Sequence, residues 1–244
     1  MKVNDDLYLL ALPVNLIFGP TILNLSLILD EEHGPTLVDT GVPGMLSAID
    51  AALSEAGLGV KDIKRVILTH QDMDHVGSLA DVVRESGAKV LAHEVEIPYI
   101  DGTLRPIKVP TKEQAEQMLA HASPEVREVM SRPLQPVKVD EALHDGQLLD
   151  LGGGVRVVFT PGHTPGHVSL FLERTKTLIA GDALGADDGR LRLPGERATP
   201  DMPGALASIG KLAELGAQTV VAYHGGVVTD DAAGQLRELA ETTA

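Results

Sequence analysis

The run Thr69-His70-Gln71-Asp72-Met73-Asp74-His75 constrains this chain more than any other stretch. Four potential metal ligands, His70, Asp72, Asp74 and His75, fall within six residues. They follow Arg65–Thr69, a short β-branched run typical of a fully buried strand. Beyond them, Val76, Leu79, Ala80 and Val83 share one face and predict a helix from about 75 to 85, stopped at Gly87. Strand-to-helix loops present side chains at the carboxyl end of a sheet, where α/β proteins place their sites. In an extended loop, residues 70, 72 and 74 converge and 75 turns the other way. Two ligand groups facing apart are what two adjacent metals need. The competing reading is an Asp that caps the helix among solvated neighbours, and the addition of His70 favours the metal.

Three more candidates each come just after an apolar run. His163 lies in Thr160-Pro161-Gly162-His163-Thr164-Pro165-Gly166-His167, after a strand at Val155–Phe159. Asp182 follows Thr177–Ala180, and His224 follows Thr219–Ala222. A lone Gly-Asp turn or a lone His would mean little, and the weight comes from repetition at four strand ends. Further strands are predicted at Leu7–Val14, Leu23–Leu29, Thr36–Val38, Lys89–Ala92 and Val168–Leu172, and helices at about 45–56, 203–215 and 231–241. Residues 94–139, rich in Pro and charge, read as an insertion with helices near 112–122 and 124–130; 183–200 reads as irregular. The pattern predicts one α/β domain over 1–244, layered with two sheets between helices.

Composition removes several function classes. With no Cys there are no disulfides, thiolate metal sites or Cys nucleophile. A net charge of −15, with three Phe, three Tyr and no Trp, argues against a nucleic-acid partner. No membrane span is visible. The apolar run Leu7–Phe18 is broken by Pro13 and Asn15 and preceded by Asp5 and Asp6, so no signal peptide and a cytoplasmic location are expected. G-x-S-x-G, H-E-x-x-H and phosphate-loop motifs are missing too.

Taken together, Leu37-Val38-Asp39-Thr40-Gly41, the His70–His75 cluster, His163 in PGHTPGH, Asp182 in AGD and His224 resemble the metallo-β-lactamase superfamily in type and order. The resemblance implies a four-layer αββα sandwich with two metals at the lip between its sheets. It implies that His70, the residue at 72 and His163 bind one metal, that Asp74, His75 and His224 bind the other, and that Asp182 bridges them. Asp39 matches a structural Asp near the site. The family's usual H-x-H-x-D-H has His where this chain has Asp72. A carboxylate there makes the site friendlier to Fe or Mn, with Zn still the first expectation.

Two divalent metals sharing a hydroxide suit attack on an ester, lactone or thioester of a small molecule, with Asp74 orienting the hydroxide or passing a proton. PGHTPGH looks like the glyoxalase II and lactonase branches. Only 20 residues follow His224, so the glutathione-holding helical region of glyoxalase II relatives is not expected. Lactonases of this type carry a Tyr three residues after the bridging Asp, where this chain has Gly185; Tyr99 or Tyr223 are the candidates to replace it. Arg190, Arg192 and Arg197, or Arg105, Lys108 and Lys112, are candidates to bind an anionic group on the substrate, against the alternative of solvated loop charge. His167 stands evenly between a structural role and a donor behind the ligands. His33, His93, His121 and His144 read as structural. The second function hypothesis is an iron-dependent redox enzyme of di-iron or sulfur dioxygenase type, resting on Asp72; the third is a binding protein with a dead site. A homodimer through the insertion is compatible with the sequence.

Overall fold

The structure, a computed structural model, describes residues 1–242. Its first sheet consists of β1 (Leu7–Leu16), β2 (Gly19–Ile28), β3 (Thr36–Val38), β4 (Arg65–Leu68), β5 (Lys89–His93) and β6 (Glu141–Leu143), adjacent in that order. β1 to β3 pair antiparallel and β3 to β6 parallel. The second holds β7 (Leu148–Leu149), β8 (Val155–Phe159), β9 (Val168–Leu172) and β10 (Thr177–Gly181). After the separate hairpin β11 (Gly185–Asp187) and β12 (Arg190–Arg192), it is completed by β13 (Thr219–Ala222) and β14 (Gly226–Val228). α1 (Leu46–Ser54), α2 (Met73–Val76) and α3 (Leu79–Ser86) belong to the first half. α4 (Ile97–Ile100), α5 (Lys112–Leu119) and α6 (Pro124–Ser131) lie between β5 and β6. α7 (Met202–Glu214) and α8 (Ala232–Thr242) belong to the second half.

Alternation along the strands sorts the apolar residues into three cores. Successive strand side chains point to opposite faces, so a strand covered on both sides can be apolar throughout. On β4, Val66 and Leu68 pack with Ile49, Leu53 and Leu79 of the first helical layer, while Ile67 points inward. The central core joins Ile67, Val38 and Leu91 of the first sheet to Val157, Leu170, Ile179 and Val221 of the second. Leu178, Ala180, Val220 and Ala222 face outward onto Ile209 and Leu212 of α7 and Leu236 of α8. The result is the four-layer αββα sandwich.

That topology gathers the candidate residues. The parallel run of β3, β4 and β5 puts their carboxyl ends on one edge of the first sheet. β10 and β13 are parallel, and β8 is two antiparallel steps from β10, so their carboxyl ends share one edge of the second. A backbone hydrogen bond from Val168 N–H to Thr69 O, 3.0 Å, ties the two sheets beside the first ligand loop.

Four features differ from the sequence expectation. β1 runs two residues beyond the expected Val14, to Leu16, because its antiparallel pairing with β2 continues through Asn15 and Leu16 to the tight turn at Gly19. The helix expected over 75–85 is two pieces, broken where the Ser78 hydroxyl accepts from Met45 N–H at 2.8 Å and donates to Val42 O at 2.7 Å. The stretch 183–200 contains the β11–β12 hairpin, and β6, β7 and β14 are two- or three-residue strands too short to show periodicity. Within 94–139, Ile100 is buried in the first outer core and Val129, Val137 and Val139 pack against it, so this segment packs into the body. Among the described residues no helix is long and apolar enough to cross a membrane.

Gly77 is the tightest joint of the break. Its N–H donates to Gly41 O at 2.9 Å, and a Cβ would land on Pro43 and on the backbone of Val42 inside van der Waals contact. Gly77→Ala is therefore expected to push the 39–43 loop off α2 and cost about 1–3 kcal/mol of stability. Urea unfolding of the variant checks this; an unchanged midpoint would show that the loop gives way freely.

Candidate metal centre

Seven candidate ligand residues meet at the shared edge of the sheets. His70 Nε2 lies 3.3 Å from Asp72 Oδ2, which lies 2.9 Å from His163 Nε2. His163 Nε2 is 3.2 Å from Asp182 Oδ2, and His75 Nε2 is 3.4 Å from Asp182 Oδ1. His224 Nε2 is 3.2 Å from Asp74 Oδ2 and 3.5 Å from Asp182 Oδ2. The atoms form two groups, His70, His163 and Asp182 on one side and Asp74, His75 and His224 on the other. Asp72 lies against the first group, and Asp182 touches both.

Tautomers follow from the hydrogen bonds behind the ligands. The carboxylate of Asp39 accepts from Thr69 N–H at 2.9 Å and from the Thr69 hydroxyl at 2.8 Å. With its one proton committed there, Thr69 Oγ1 accepts at 3.0 Å from His70 Nδ1–H. Asp39 also accepts from His75 Nδ1–H at 2.9 Å. Both Nδ1 atoms thus carry protons, leaving both Nε2 atoms turned to the site. Asp39 holds this position at φ +63°, in the left-handed region. His167 acts one layer behind. It is buried, its Nε2 accepts from Asp182 N–H at 3.0 Å, and Nδ1 donates to Thr160 Oγ1 at 2.9 Å. Burial holds its pKa well below the usual His value, in keeping with a neutral ring.

A divalent cation fits this arrangement. His70 Nε2, His75 Nε2 and Asp182 Oδ1 are buried polar atoms without a hydrogen-bond partner, all on the ligand cluster. Such atoms are costly unless something meets them. Charge points the same way. Burial opposes ionisation of Asp72, Asp74 and Asp182, but neighbouring His side chains, and Lys108 beside Asp72, outweigh it and hold all three below the ordinary carboxylate range. Burial likewise opposes an imidazolium at His224, yet Asp182 and Asp74 push its pKa up to about 10. Asp182, Asp39 and Asp74 raise His75 well above its usual value in the same way. Three buried carboxylates thus recruit protons wherever a metal cation is missing.

The substrate-side candidates scatter. Tyr223 is buried, its ring 3.9 Å from that of His75, and its hydroxyl donates to the backbone carbonyl of Asp74. Tyr99 sits on α4, outside the lining of the cleft above the ligands. Arg190 pairs with Glu238 of α8 at 3.5 Å. Arg192 lines the cleft, with its guanidinium over Gly185 where a side chain would otherwise stand. Arg105 donates to Val109 O and Pro110 O, whereas Lys108 reaches the ligands. One organising residue escaped the sequence reading. Glu96 is fully buried and accepts from Gln71 N–H at 2.9 Å and Gly166 N–H at 2.7 Å, tying two ligand loops together. Only its place three residues past a ligand-edge strand and its acidity could have signalled it.

Two outcomes follow. In Asp39→Asn, the amide NH2 would face His75 Nδ1 and favour the tautomer protonated on Nε2. Metal affinity is expected to fall roughly 10–100-fold with the fold kept, checked by chelator competition. In the metal-free protein, His75 and His224 hold protons at pH 7, so cation uptake should release about two protons per chain. Affinity should then strengthen as pH rises from 6 to 8. Calorimetry in buffers of different ionisation enthalpy measures this release, and none at pH 7 would contradict the assignment.

Comparison with known proteins agrees with this geometry. A sequence profile of the metallo-β-lactamase superfamily matches residues 19–224. The chain is 30% identical over 217 residues to the probable metallo-hydrolase YflN of Bacillus subtilis, covering 80% of this chain and 76% of that protein. It is 25% identical over 168 residues to the hydroxyacylglutathione hydrolase GloC of Haemophilus influenzae, covering 66% of each. Among solved structures, the metallo-β-lactamase family protein TTHA1429 of Thermus thermophilus superposes with a TM-score of 0.75 at 29% identity, covering 99% of this chain and 80% of that one. With the profile spanning every candidate ligand and the sandwich shared over nearly its full length, the chain belongs to the metallo-β-lactamase superfamily.

Proposed function

We propose that this chain is a metallo-hydrolase that cleaves an ester, lactone or thioester bond of a small molecule. The observation that carries the reading is the opening of the ligand cluster into a cleft of about 570 Å³, lined by Asp72, Asp74, His163, Asp182 and His224. The rest of its wall is largely apolar, with Ile17 and Phe18 at the β1–β2 tip, Met73, Met130 and Leu184, and Arg192 supplying a cation. That lining suits an acyl group with an apolar portion and an anionic or polar end. The named activity of GloC adds acyl-glutathione thioesters to the substrates worth testing.

Divalent cations held by His70, Asp72 and His163, by Asp74, His75 and His224, and by Asp182 between them would lower the pKa of a bound water and polarise an acyl oxygen. The residues divide the remaining work. Asp74 faces the cleft, anchored through its backbone carbonyl by the Tyr223 hydroxyl, and its carboxylate orients a nucleophile and receives its proton. Tyr223 positions Asp74 and stays clear of substrate. Arg192 lies over Gly185, where the lactonase Tyr would be, with its Nε 2.8 Å from Asp187 Oδ2, and is the cleft cation we assign to a substrate carboxylate. Zn is the first metal we assign. Fe and Mn follow because Asp72 brings a carboxylate to the first group. Asp72 is also the observation that favours the second reading, an iron-dependent redox enzyme on the same fold.

The test is turnover by protein stripped and reloaded with Zn, Mn or Fe on aryl esters, γ- and δ-lactones and acyl thioesters. Asp74→Ala is expected to lower kcat about 10²–10⁴-fold. Turnover of none of these substrates with any metal would sink the hydrolase reading. Bound iron with oxygen uptake would put the redox reading in its place.

A further inference from the structure

A lysine from outside the ligand loops reaches the first ligand group. Lys108 Nζ lies 2.6 Å from Asp72 Oδ2 and 2.7 Å from His163 Nε2. The Lys108 ammonium can only donate, so His163 Nε2 accepts from it, and the ring proton lies on Nδ1, which faces Thr199 Oγ1 at 3.4 Å. Asp72 Oδ2 and His163 Nε2 are then two acceptors only 2.9 Å apart. Two lone pairs at that distance repel unless a cation lies between them, and the ammonium fills that role. A metal on the same two atoms would need the same lone pairs.

The placement is built by the fold. The segment carrying Lys108 is held by Ile107 N–H, which donates to Gln71 Oε1 at 2.9 Å. Gln71 lies between His70 and Asp72, so the ligand loop itself fixes the chain that brings the lysine in. The segment is otherwise largely exposed, with Ile107 43% and Val109 36% exposed. A cavity of about 480 Å³ borders it on the side of α5, and another of about 270 Å³ borders Ile107 and His163. The side chain has room to withdraw. The Asp74, His75 and His224 group has no comparable ammonium among the described residues.

We propose that Lys108 and a divalent cation are alternative occupants of the His70, Asp72 and His163 group. The Asp74, His75 and His224 group, with Asp182, then loads first, and the first group loads second and more weakly, only as Lys108 leaves. This rests on the metal reading above and adds an order of filling that the ligand set alone does not contain.

The experiment is a titration of the metal-free full chain with Zn or Mn, read by calorimetry and by elemental analysis, for wild type, Lys108→Met and Lys108→Gln. Wild type is expected to show one tight and one weaker site. In both variants the weaker site should tighten by roughly tenfold or more, with thermal unfolding confirming the fold. Acylation of Lys108 by a lysine-specific reagent, located by mass spectrometry, should be slow in metal-free wild type and faster once the second site fills. Identical isotherms in all three proteins would overturn the proposal. So would a weaker second site in the variants, which would make Lys108 a support for Asp72 and not its competitor. Two equal tight sites in wild type would overturn it while leaving the metal reading intact. No uptake by any of the three would remove the metal reading and the proposal together.

Discussion

The carboxylate of Asp39 is the contact on which the site depends. It fixes His75 directly and His70 through the Thr69 hydroxyl, and it caps the end of β4 through Thr69 N–H. A histidine offers a metal one lone pair, and the proton on its other nitrogen decides which. One buried carboxylate thus sets the chemical state of a candidate ligand in each of the two His/Asp groups. The left-handed backbone at Asp39 is the strain that such a placement carries. The 39–43 loop is in turn held against α2 by Thr40, whose N–H and hydroxyl both donate to His75 O, and by Gly77. The packing of the first helical layer and the orientation of the ligands are therefore one problem.

The second half supplies the counterpart. His167 receives the Asp182 N–H, and Tyr223 O, just past β13, accepts from the backbone N–H and side-chain amide of Asn24 on β2. Glu96 joins the loop of His70 to the loop of His163. These links cross between residues far apart in sequence, and each leaves a ligand oriented and a backbone N–H satisfied. The site is less a set of loops on a scaffold than the place where the two sheets are fastened together.

Much of this was legible in the sequence, for identifiable reasons. His70, Asp72, Asp74 and His75 share one loop, so their spacing alone brings them together. His163, Asp182 and His224 each follow an apolar run long enough to be read as a strand. The layered two-sheet fold followed from the order of strand and helix patterns, and its αββα form from the family resemblance. What could not be read depends on contacts with no local signature. Glu96 and Lys108 reach the site through tertiary packing: Glu96 shows in the sequence only as an acid shortly after a strand, and Lys108 only as a loop cation, with nothing to say that it meets the ligands. Arg190 and Arg192 are two residues apart on one strand, yet one pairs with α8 and the other lines the cleft. The break at Gly77–Ser78 was hidden because the apolar spacing continues across it, while the Ser78 hydroxyl serves a different segment.

The ligands are spread from residue 70 to residue 224 and come from both sheets. No partial structure contains a complete site, since the second group joins Asp74 and His75 of the first half to His224 near the end of the chain. Metal binding by these candidate ligands would thereby require the complete fold. A free cation at a concentration one hundred times its dissociation constant would add about 2.7 kcal/mol to the folded state and nothing to a half-formed one. Supply of the metal would set how long the molecule endures, as well as what it can do.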